Sequence, residues 1–150
     1  RDDAIARGFD LIEWTFDPLE IKNAHLNIAR LGAIVRRYEP DCYGPSTSPL
    51  QGGLPTDRLY AEWWLRSPQV VSLLRGEAPP AQVVEQRVTV PHGIYQWKQD
   101  TEQRSLARAV QSDNREALES AFHRGLAIIG HECDLDGNGT FLLGRWDTPR

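Results

Sequence analysis

The fold of this chain is decided in WTFDPLEIKNAHLNIARLGA, residues 14–33, where an apolar segment gives way to a short loop and then to a helical pattern. The apolar and aromatic residues of 9–16 predict a strand. Asp17 is placed to cap the helix that follows, and Gly32 is placed to end it. A second strand is predicted over 33–38. The local order is therefore strand, helix, strand with short connections.

Two amide side chains share one face of the predicted helix. Asn23 and Asn27 are four residues apart, on the same side as Glu20, and the apolar residues of the helix face the other way. Amides on an exposed face suit polar contact with a ligand. They are equally suited to do no more than solvate that face, and the spacing leaves both interpretations open.

Three segments of the chain, WTFDPL, NAHLNIARLGA and GLPTDRL, resemble a known family. They are similar to the second half of GNAT-type acyltransferases, which transfer an acyl group from coenzyme A to an amine, and in particular to a subgroup of longer GNAT-like proteins. The resemblance covers most of the chain and is strongest over 8–65. It implies an α/β (α+β) fold, the C-terminal half of a GNAT-like mixed sheet, with an appended strand-helix-hairpin region.

The resemblance also implies where a coenzyme A ester would bind. In that family two neighbouring parallel strands splay apart, and the pantetheine arm lies in the gap and bonds to the backbone like an added strand. Acetyl-CoA or another acyl-CoA is the implied co-substrate. The residues that the resemblance assigns to its binding are Trp14, Thr15, Phe16 and Asp17 at the splayed edge, with Asn23 and Asn27 on the helix.

The pyrophosphate of the co-substrate has an expected place as well. In the family it sits on a glycine-containing turn at a helix N-terminus, where free N–H groups favour an anion. Residues 1–8 look like the last turns of that helix, with Gly8 at its C-terminal end. The turn is therefore expected upstream of Arg1, and we interpret the chain as part of a longer polypeptide.

A general acid for the departing thiolate is also implied. Many family members place a Tyr about four residues before a Leu-Gly pair, but here that position holds Asn27 and Ile28. Tyr38 and Tyr43 are the nearby alternatives, because a phenol can protonate a thiolate. Tyr43 lies among turn-forming residues, which favours a position at the mouth of a site.

The general base must be a carboxylate or a histidine near the splay. Glu13 is the first candidate, since its side chain faces opposite to those of Ile12 and Trp14, and a buried position there would make it a usable base. His25 is the second candidate. Each is also explained as an ordinary polar residue on the surface of a strand or helix.

The acceptor side of the site is predicted after the first two strands. Residues 46–55 are rich in Ser, Pro and Gly and predict a long loop, and such loops tend to cover sites. A strand is predicted over 56–65. At its start Asp57 and Arg58 can hold a substrate carboxylate, because Arg presents a planar fork of donors. They can equally form a structural ion pair that fixes the loop.

Composition divides the chain into two regions and a linker. The GNAT-like core is predicted over 1–74, the linker over 75–80 and the appended region over 81–150. The predicted elements of the appended region are a strand at 83–90, a long helix from about Thr101 to Arg124 capped by Thr101, and a hairpin of 126–133 with 140–146.

No metal is expected from the sequence. The turn DLDGNG, residues 134–139, matches the start of an EF-hand loop, but its twelfth position is Arg145 and its flanks are predicted strands. His131 and Cys133 alternate on one of those strands. Two candidate ligands are too few for a zinc site.

Composition limits the partners. The chain has 150 residues, 40% of them hydrophobic, and a formal net charge of -4, which argues against broad nucleic-acid binding. No apolar run is long enough to cross a membrane. Two cysteines make no disulfide framework, so a cytoplasmic location is expected. The expected partners are a small-molecule amine acceptor and, as an arrangement compatible with the sequence, a second copy in a homodimer.

The predicted function is that of an acyl-CoA-dependent N-acyltransferase, an acetyltransferase, in which a small amine attacks the thioester directly. Asp57 and Arg58, with Tyr43, would approach the acceptor, while Glu13 and Tyr43 would move protons. The alternative is a non-catalytic GNAT-like module for ligand binding or dimerisation, and the missing family Tyr favours it.

Overall fold

The computed structural model describes residues 1–44 and 51–149, and it folds as an α+β protein around one sheet. The strands are β1 (Leu11–Phe16), β2 (Ile34–Glu39), β3 (Arg58–Trp64), β4 (Gln86–Val90), β5 (Ala127–Cys133) and β6 (Gly139–Gly144). The helices are α1 (Asp2–Ala6), α2 (Ile21–Ala24), α3 (Pro68–Leu74), α4 (Ile94–Gln99) and α5 (Arg104–His123), and a π-turn (His25–Arg30) continues α2.

The sheet order is β1-β3-β2-β5-β6-β4, and every pairing between the described strands is antiparallel. Because β3 lies between β1 and β2, those two strands run parallel to each other without pairing. Leu59 of β3 lies opposite Phe16 on one side and opposite Tyr38 on the other. The expected mixed sheet is therefore wrong for the described strands, since the parallel pair is separated by an antiparallel third strand.

The two halves of the chain meet at the centre of this sheet. Val35 of β2 lies opposite Ile128 of β5, and both side chains are fully buried. Strands from 81–149 thus extend the same sheet as strands from 1–74 and share its core. The largest fully buried side chains come from both halves and include Leu19, Ile28, Ile34, Leu59, Leu65, Ile94, Leu118, Ile128, Phe141 and Leu143.

Helix α5 packs on this sheet against β2 and β4 and also contacts α4. Its buried residues are Ala107, Gln111, Leu118 and Ala121. Leu106, near the start of α5, is by contrast 46% exposed. The predicted cap at Thr101 is wrong, because α5 begins at Arg104 and α4 occupies the chain just before it.

The π-turn changes which side chains of the first helix are exposed. The amide N–H of Leu31 donates to the carbonyl of Leu26 at 3.0 Å, a hydrogen bond that closes a turn one residue wider than that of an α-helix. Asn27 is consequently only 7% exposed, whereas Asn23 faces solvent. The expected shared face of the two amides is therefore wrong.

The other sequence predictions of elements are largely confirmed. The strand, helix and strand of the first segment end close to the predicted bounds, and Gly32 follows the π-turn with a φ of +83°. A Cβ at Gly32 would lie 3.1 Å from the side chain of Leu73, so helix α3 packs closely there. The predicted hairpin corresponds to β5 and β6. Among the described helices, none is long and apolar enough to cross a membrane.

Replacement of Ile128 tests whether the meeting point of β2 and β5 stabilises the fold. Ile128→Ala removes a fully buried side chain and leaves a cavity beside Val35. We expect the free energy of unfolding to fall by about 2–5 kcal/mol. Urea denaturation measures it. Leu135→Ala, at a fully exposed turn position, is the control and should change stability by no more than about 0.5 kcal/mol.

Candidate functional site

Four residues meet at the C-terminal end of β1, and we call them the β1 cluster: Thr15, Asp17, Tyr43 and Arg58. The Tyr43 hydroxyl lies 3.0 Å from Thr15 Oγ1. The Arg58 guanidinium lies 5.3 Å from the centroid of the Tyr43 ring, and its Nη1 atom lies 3.8 Å from Asp17 Oδ2. The structure thus brings together side chains that the sequence assigned to the cofactor, to proton transfer and to the acceptor.

The backbone at the start of β3 holds Tyr43 in the β1 cluster. The Tyr43 amide donates to Thr56 Oγ1 at 3.0 Å, and the Cys42 amide donates to the Thr56 carbonyl at 2.8 Å. Thr56 is buried, whereas the Tyr43 side chain is 63% exposed. The Tyr43 phenol therefore lies at the surface, while its backbone is held by the hydrogen bonds to the buried Thr56. Part of the loop predicted to cover the site, residues 46–50, lies outside the described residues.

Asp57 and Arg58 do not act as a pair, because successive side chains of a strand point to opposite faces. Asp57 is 1% exposed and accepts hydrogen bonds from the Tyr38 hydroxyl and, at 2.9 Å, from the Asp41 amide. Burial, reinforced by this hydrogen bond to Asp57, raises the pKa of Tyr38. Asp57 therefore fixes the loop after β2, and only Arg58 faces the β1 cluster.

Lys98 is a charged residue at this site that the sequence did not single out. It is 4% exposed, and its Nζ atom lies 3.5 Å from Asp17 Oδ2 and 3.9 Å from Glu20 Oε1. Asp17 Oδ1 accepts the Leu19 amide at 2.8 Å, which fixes the turn before α2. One carboxylate therefore faces two cations, Lys98 and Arg58. No local signal marks Lys98, since it reaches this place through the unpredicted helix α4.

The remaining residues assigned to the β1 edge point in two directions. Glu13 is exposed opposite Glu62 of β3, so the burial on which its role as a base depended is absent. Trp14 and Phe16 face the helical side of the sheet. The Trp14 ring lies 6.2 Å from the ring of Trp63, and Phe16 is 5% exposed. The side chains of these two aromatic residues therefore pack in or against the hydrophobic core, and only their backbone lies along the edge of the sheet.

A second group of polar side chains lies where the π-turn packs on β5. The Nδ1 atoms of His25 and His131 are 3.1 Å apart. One ligand atom from each of His25, His131 and Cys133 lies within 4.8 Å of the other two. Burial, followed by the charge of His25, lowers the pKa of His131 from 6.5 to about 4. The sequence indicated two candidate ligands here, His131 and Cys133. The third, His25, lies 106 residues before His131 in the chain.

In the turn between β5 and β6, the carboxylate of Asp134 accepts hydrogen bonds from the turn itself. Asp134 Oδ1 accepts the amides of Asp136 at 3.0 Å and Asn138 at 2.9 Å, and Oδ2 accepts the Asn138 side-chain amide at 2.9 Å. Hydrogen bonds from Asn138 lower the pKa of Asp134. These bonds account for the Asp and Asn spacing of the turn without an ion.

A cavity of about 730 Å³ lies between α5 and the chain that leads into β3. Its polar lining comes from both sides and consists of Asp41, Asp57, Arg108, Gln111, Ser112 and Arg115. Gln111 donates to the Pro55 carbonyl at 2.9 Å, which ties α5 to this segment. Asp57 thus faces this cavity from the side of the sheet that is opposite to the β1 cluster.

Comparison of the chain with protein-family models, with curated proteins and with solved structures finds no match. The resemblance of residues 14–33 and 53–59 to GNAT-type acyltransferases therefore stays a prediction from the sequence.

Two Tyr→Phe variants distinguish a structural hydroxyl from an exposed one. Tyr38→Phe removes the donor to the buried Asp57 carboxylate, so we expect the free energy of unfolding to fall by about 1–3 kcal/mol. Tyr43→Phe removes an exposed hydroxyl and should change it by no more than about 0.5 kcal/mol. Urea denaturation of both variants measures this, and equal losses would contradict the assignment.

The buried imidazole of His131 predicts a pH dependence of stability. An unfolded histidine takes up a proton below about pH 6.5, whereas folded His131 does so only near its pKa of about 4. Its contribution is therefore complete above pH 6.5 and is lost as the pH falls toward 4, by up to about 3 kcal/mol. Unfolding free energies at several pH values, with a chelator present, should show a shallower slope for His131→Gln than for the wild type.

Proposed function

We propose for this chain the function of an acyl-CoA-dependent N-acyltransferase of GNAT type, which moves an acetyl or other small acyl group to a small amine. The observation that supports it best is the position of β1. This strand pairs with β3 on one side, and no other described strand pairs with its second side. A free strand edge presents N–H and C=O groups that can bind an extended pantetheine arm as an added strand.

The β1 cluster supports the same proposal, since it lies at the end of that edge. A thioester held along β1 would bring its sulfur toward Tyr43. In the proposed reaction Tyr43 donates its phenolic proton to the departing thiolate as the C–S bond breaks. Thr15 orients the phenol through the 3.0 Å contact, and the cationic Arg58 stabilises the phenolate that forms.

The proton that the amine loses as the new C–N bond forms needs a second acceptor. Glu13 lies two residues before Thr15 on the same face of β1 and is open to water. In the proposal Glu13 takes this proton through a water molecule and then returns it to solvent, while Tyr43 is reprotonated. Proton transfer then has one group for the leaving thiolate and another for the attacking amine.

Other assigned residues take narrower roles in the proposal. Asn23 is exposed and free to contact coenzyme A, whereas the buried Asn27 shapes the π-turn by accepting the Ala33 amide at 3.0 Å on its carbonyl. The Arg58 guanidinium can bind a carboxylate on the acceptor amine. Its Nη1 atom lies 3.8 Å from Asp17 Oδ2, a distance too long for a hydrogen bond. Asp57 stays on the opposite face and stabilises the loop.

A non-catalytic module is the second candidate, and the exposure of Glu13 favours it. A base in bulk water is a weak one, and a free strand edge can pair with β1 of a second copy as readily as with a ligand. In that case the β1 cluster binds an acyl-CoA, or the edge forms a dimer, without group transfer.

Turnover by the full polypeptide tests the proposal. Acetyl-CoA is incubated with the protein and a mixture of small amines, and the free thiol that appears is measured. We expect amine-dependent thiol release, and Tyr43→Phe should lower kcat by about a hundredfold because it removes the general acid. Tyr95→Phe is the matched control, since its buried hydroxyl has no hydrogen-bond partner among the described residues, and it should keep the wild-type rate.

Calorimetric titration with acetyl-CoA separates the remaining outcomes. Binding without amine-dependent turnover would overturn the enzyme proposal and support the ligand-binding module. Absence of both binding and turnover, with a dimer in solution, would support the dimerisation module. If Tyr43→Phe and Tyr95→Phe both kept the wild-type rate, Tyr43 would not be the general acid. The transferase proposal would then need another acid.

A further inference from the structure

We infer that His25, His131 and Cys133 form a binding site for a zinc ion, here named the His-His-Cys site. It lies where the π-turn packs on β5. Two imidazole nitrogens and one thiolate sulfur would be its protein ligands. The inference is independent of the proposed acyltransferase function, because none of the three side chains belongs to the β1 cluster.

The distances between the ligand atoms suit one small ion. The two histidine Nδ1 atoms are 3.1 Å apart, and the three ligand atoms lie within 4.8 Å of one another. Nitrogen and sulfur ligands bound tetrahedrally to zinc lie about 3.3–3.8 Å from each other. Shifts of a few tenths of an ångström to about an ångström therefore complete the geometry.

The fold holds two of the ligands on one rigid surface. His131 and Cys133 are alternate residues of β5 and so point to the same face of the sheet. His131 is 6% exposed, and its ring packs edge-on at 5.4 Å from Phe141. Burial and this aromatic contact restrict the imidazole, so that the entropy of ordering it is already lost before a metal binds.

Gly139 gives the His131 ring the space it needs. It lies opposite Cys133 on β6, and a Cβ there would be 3.0 Å from His131 Nε2 and 2.6 Å from the side chain of Ile21. A larger residue would push either the histidine ring or helix α2. The absent side chain thus lets the Nδ1 atom of His131 face His25.

The widened helical turn supplies the third ligand. His25 is the first residue of the π-turn, which packs on β5, and it is partly exposed. Such local widening of a helix is frequent at functional sites. His25 therefore approaches His131 from the opposite layer of the fold, and an ion between them would join the helix to the sheet.

The donor set selects the metal. Imidazole and thiolate favour zinc over magnesium or calcium, which prefer oxygen ligands. Three protein ligands leave a fourth position for water or another ligand, and the exposed Cys133 places this position near solvent. The competing explanation is a simple hydrogen bond between two neutral histidines, in which one Nδ1 donates and the other accepts. That explanation gives Cys133 no role.

Cobalt(II) is a suitable probe, because it occupies zinc sites and reports a thiolate ligand through a charge-transfer absorption. The full chain is titrated with Co²⁺ alone, and we expect one ion per chain with this absorption, followed by its loss when Zn²⁺ is added. Cys133→Ser should abolish the absorption, and His25→Ala should weaken binding at least about tenfold. Both positions reach solvent, so neither variant empties the core.

The chain offers matched controls for each ligand type. Cys42→Ser removes the other cysteine, and His123→Ala removes an exposed histidine at the end of α5. Both should keep the affinity, the stoichiometry and the absorption of the wild type. A second measurement is thermal unfolding, in which Zn²⁺ should raise the midpoint of the wild type and the controls more than that of Cys133→Ser or His25→Ala.

Three results would overturn the inference. They are the absence of a stoichiometric Co²⁺ complex, a complex whose absorption survives Cys133→Ser, and control variants that lose as much affinity as the ligand variants. Each would leave the hydrogen bond between the histidines as the explanation of the 3.1 Å contact. Acyl-CoA turnover is not a readout of this experiment, so the two proposals fail separately.

Discussion

The pairing of β3 with two strands at once is the constraint on which the rest of the structure depends. Residues of β3 bond to β1 on one side and to β2 on the other, and Leu59 and Ala61 are fully buried between them. This pairing leaves β1 at the edge of the described sheet. It also places Arg58 beside the end of β1 and turns Asp57 toward the core. The start of β3 therefore positions both the β1 cluster at the surface and the buried carboxylate that bonds to Tyr38.

Electrostatic interactions at the two ends of the first helical segment differ in kind. Asp17, before α2, is a carboxylate that faces the buried cation of Lys98 and the partly buried cation of Arg58, and it keeps the chain fixed at the β1 cluster. At the π-turn the contacts involve neutral imidazole, because burial lowers the pKa of His131. Charged pairs therefore organise the surface at the end of β1, while donor atoms for a metal meet where the helix packs on β5.

Exposure decides which of the polar residues can act on a ligand. Tyr38 and Tyr43 are separated by only a few residues, yet one hydroxyl is buried on Asp57 and the other is at the surface beside Thr15. The same contrast separates Asn27 from Asn23 and Asp57 from Arg58. The backbone determines the last two contrasts. The widened helical turn separates Asn27 from Asn23, and strand alternation separates Asp57 from Arg58.

The sequence by itself determined most strands, the first helical segment and the β5–β6 hairpin, because hydrophobic periodicity and turn residues act over neighbouring positions. It also indicated Tyr43, Thr15 and Arg58 as residues of one site. Only the tertiary structure decided that β3 separates β1 from β2, that a π-turn buries Asn27, that α4 brings Lys98 to Asp17, and that His25 meets His131. These contacts join segments far apart in the chain, and strand pairing and helix docking depend on burial of the whole core, which local patterns do not encode.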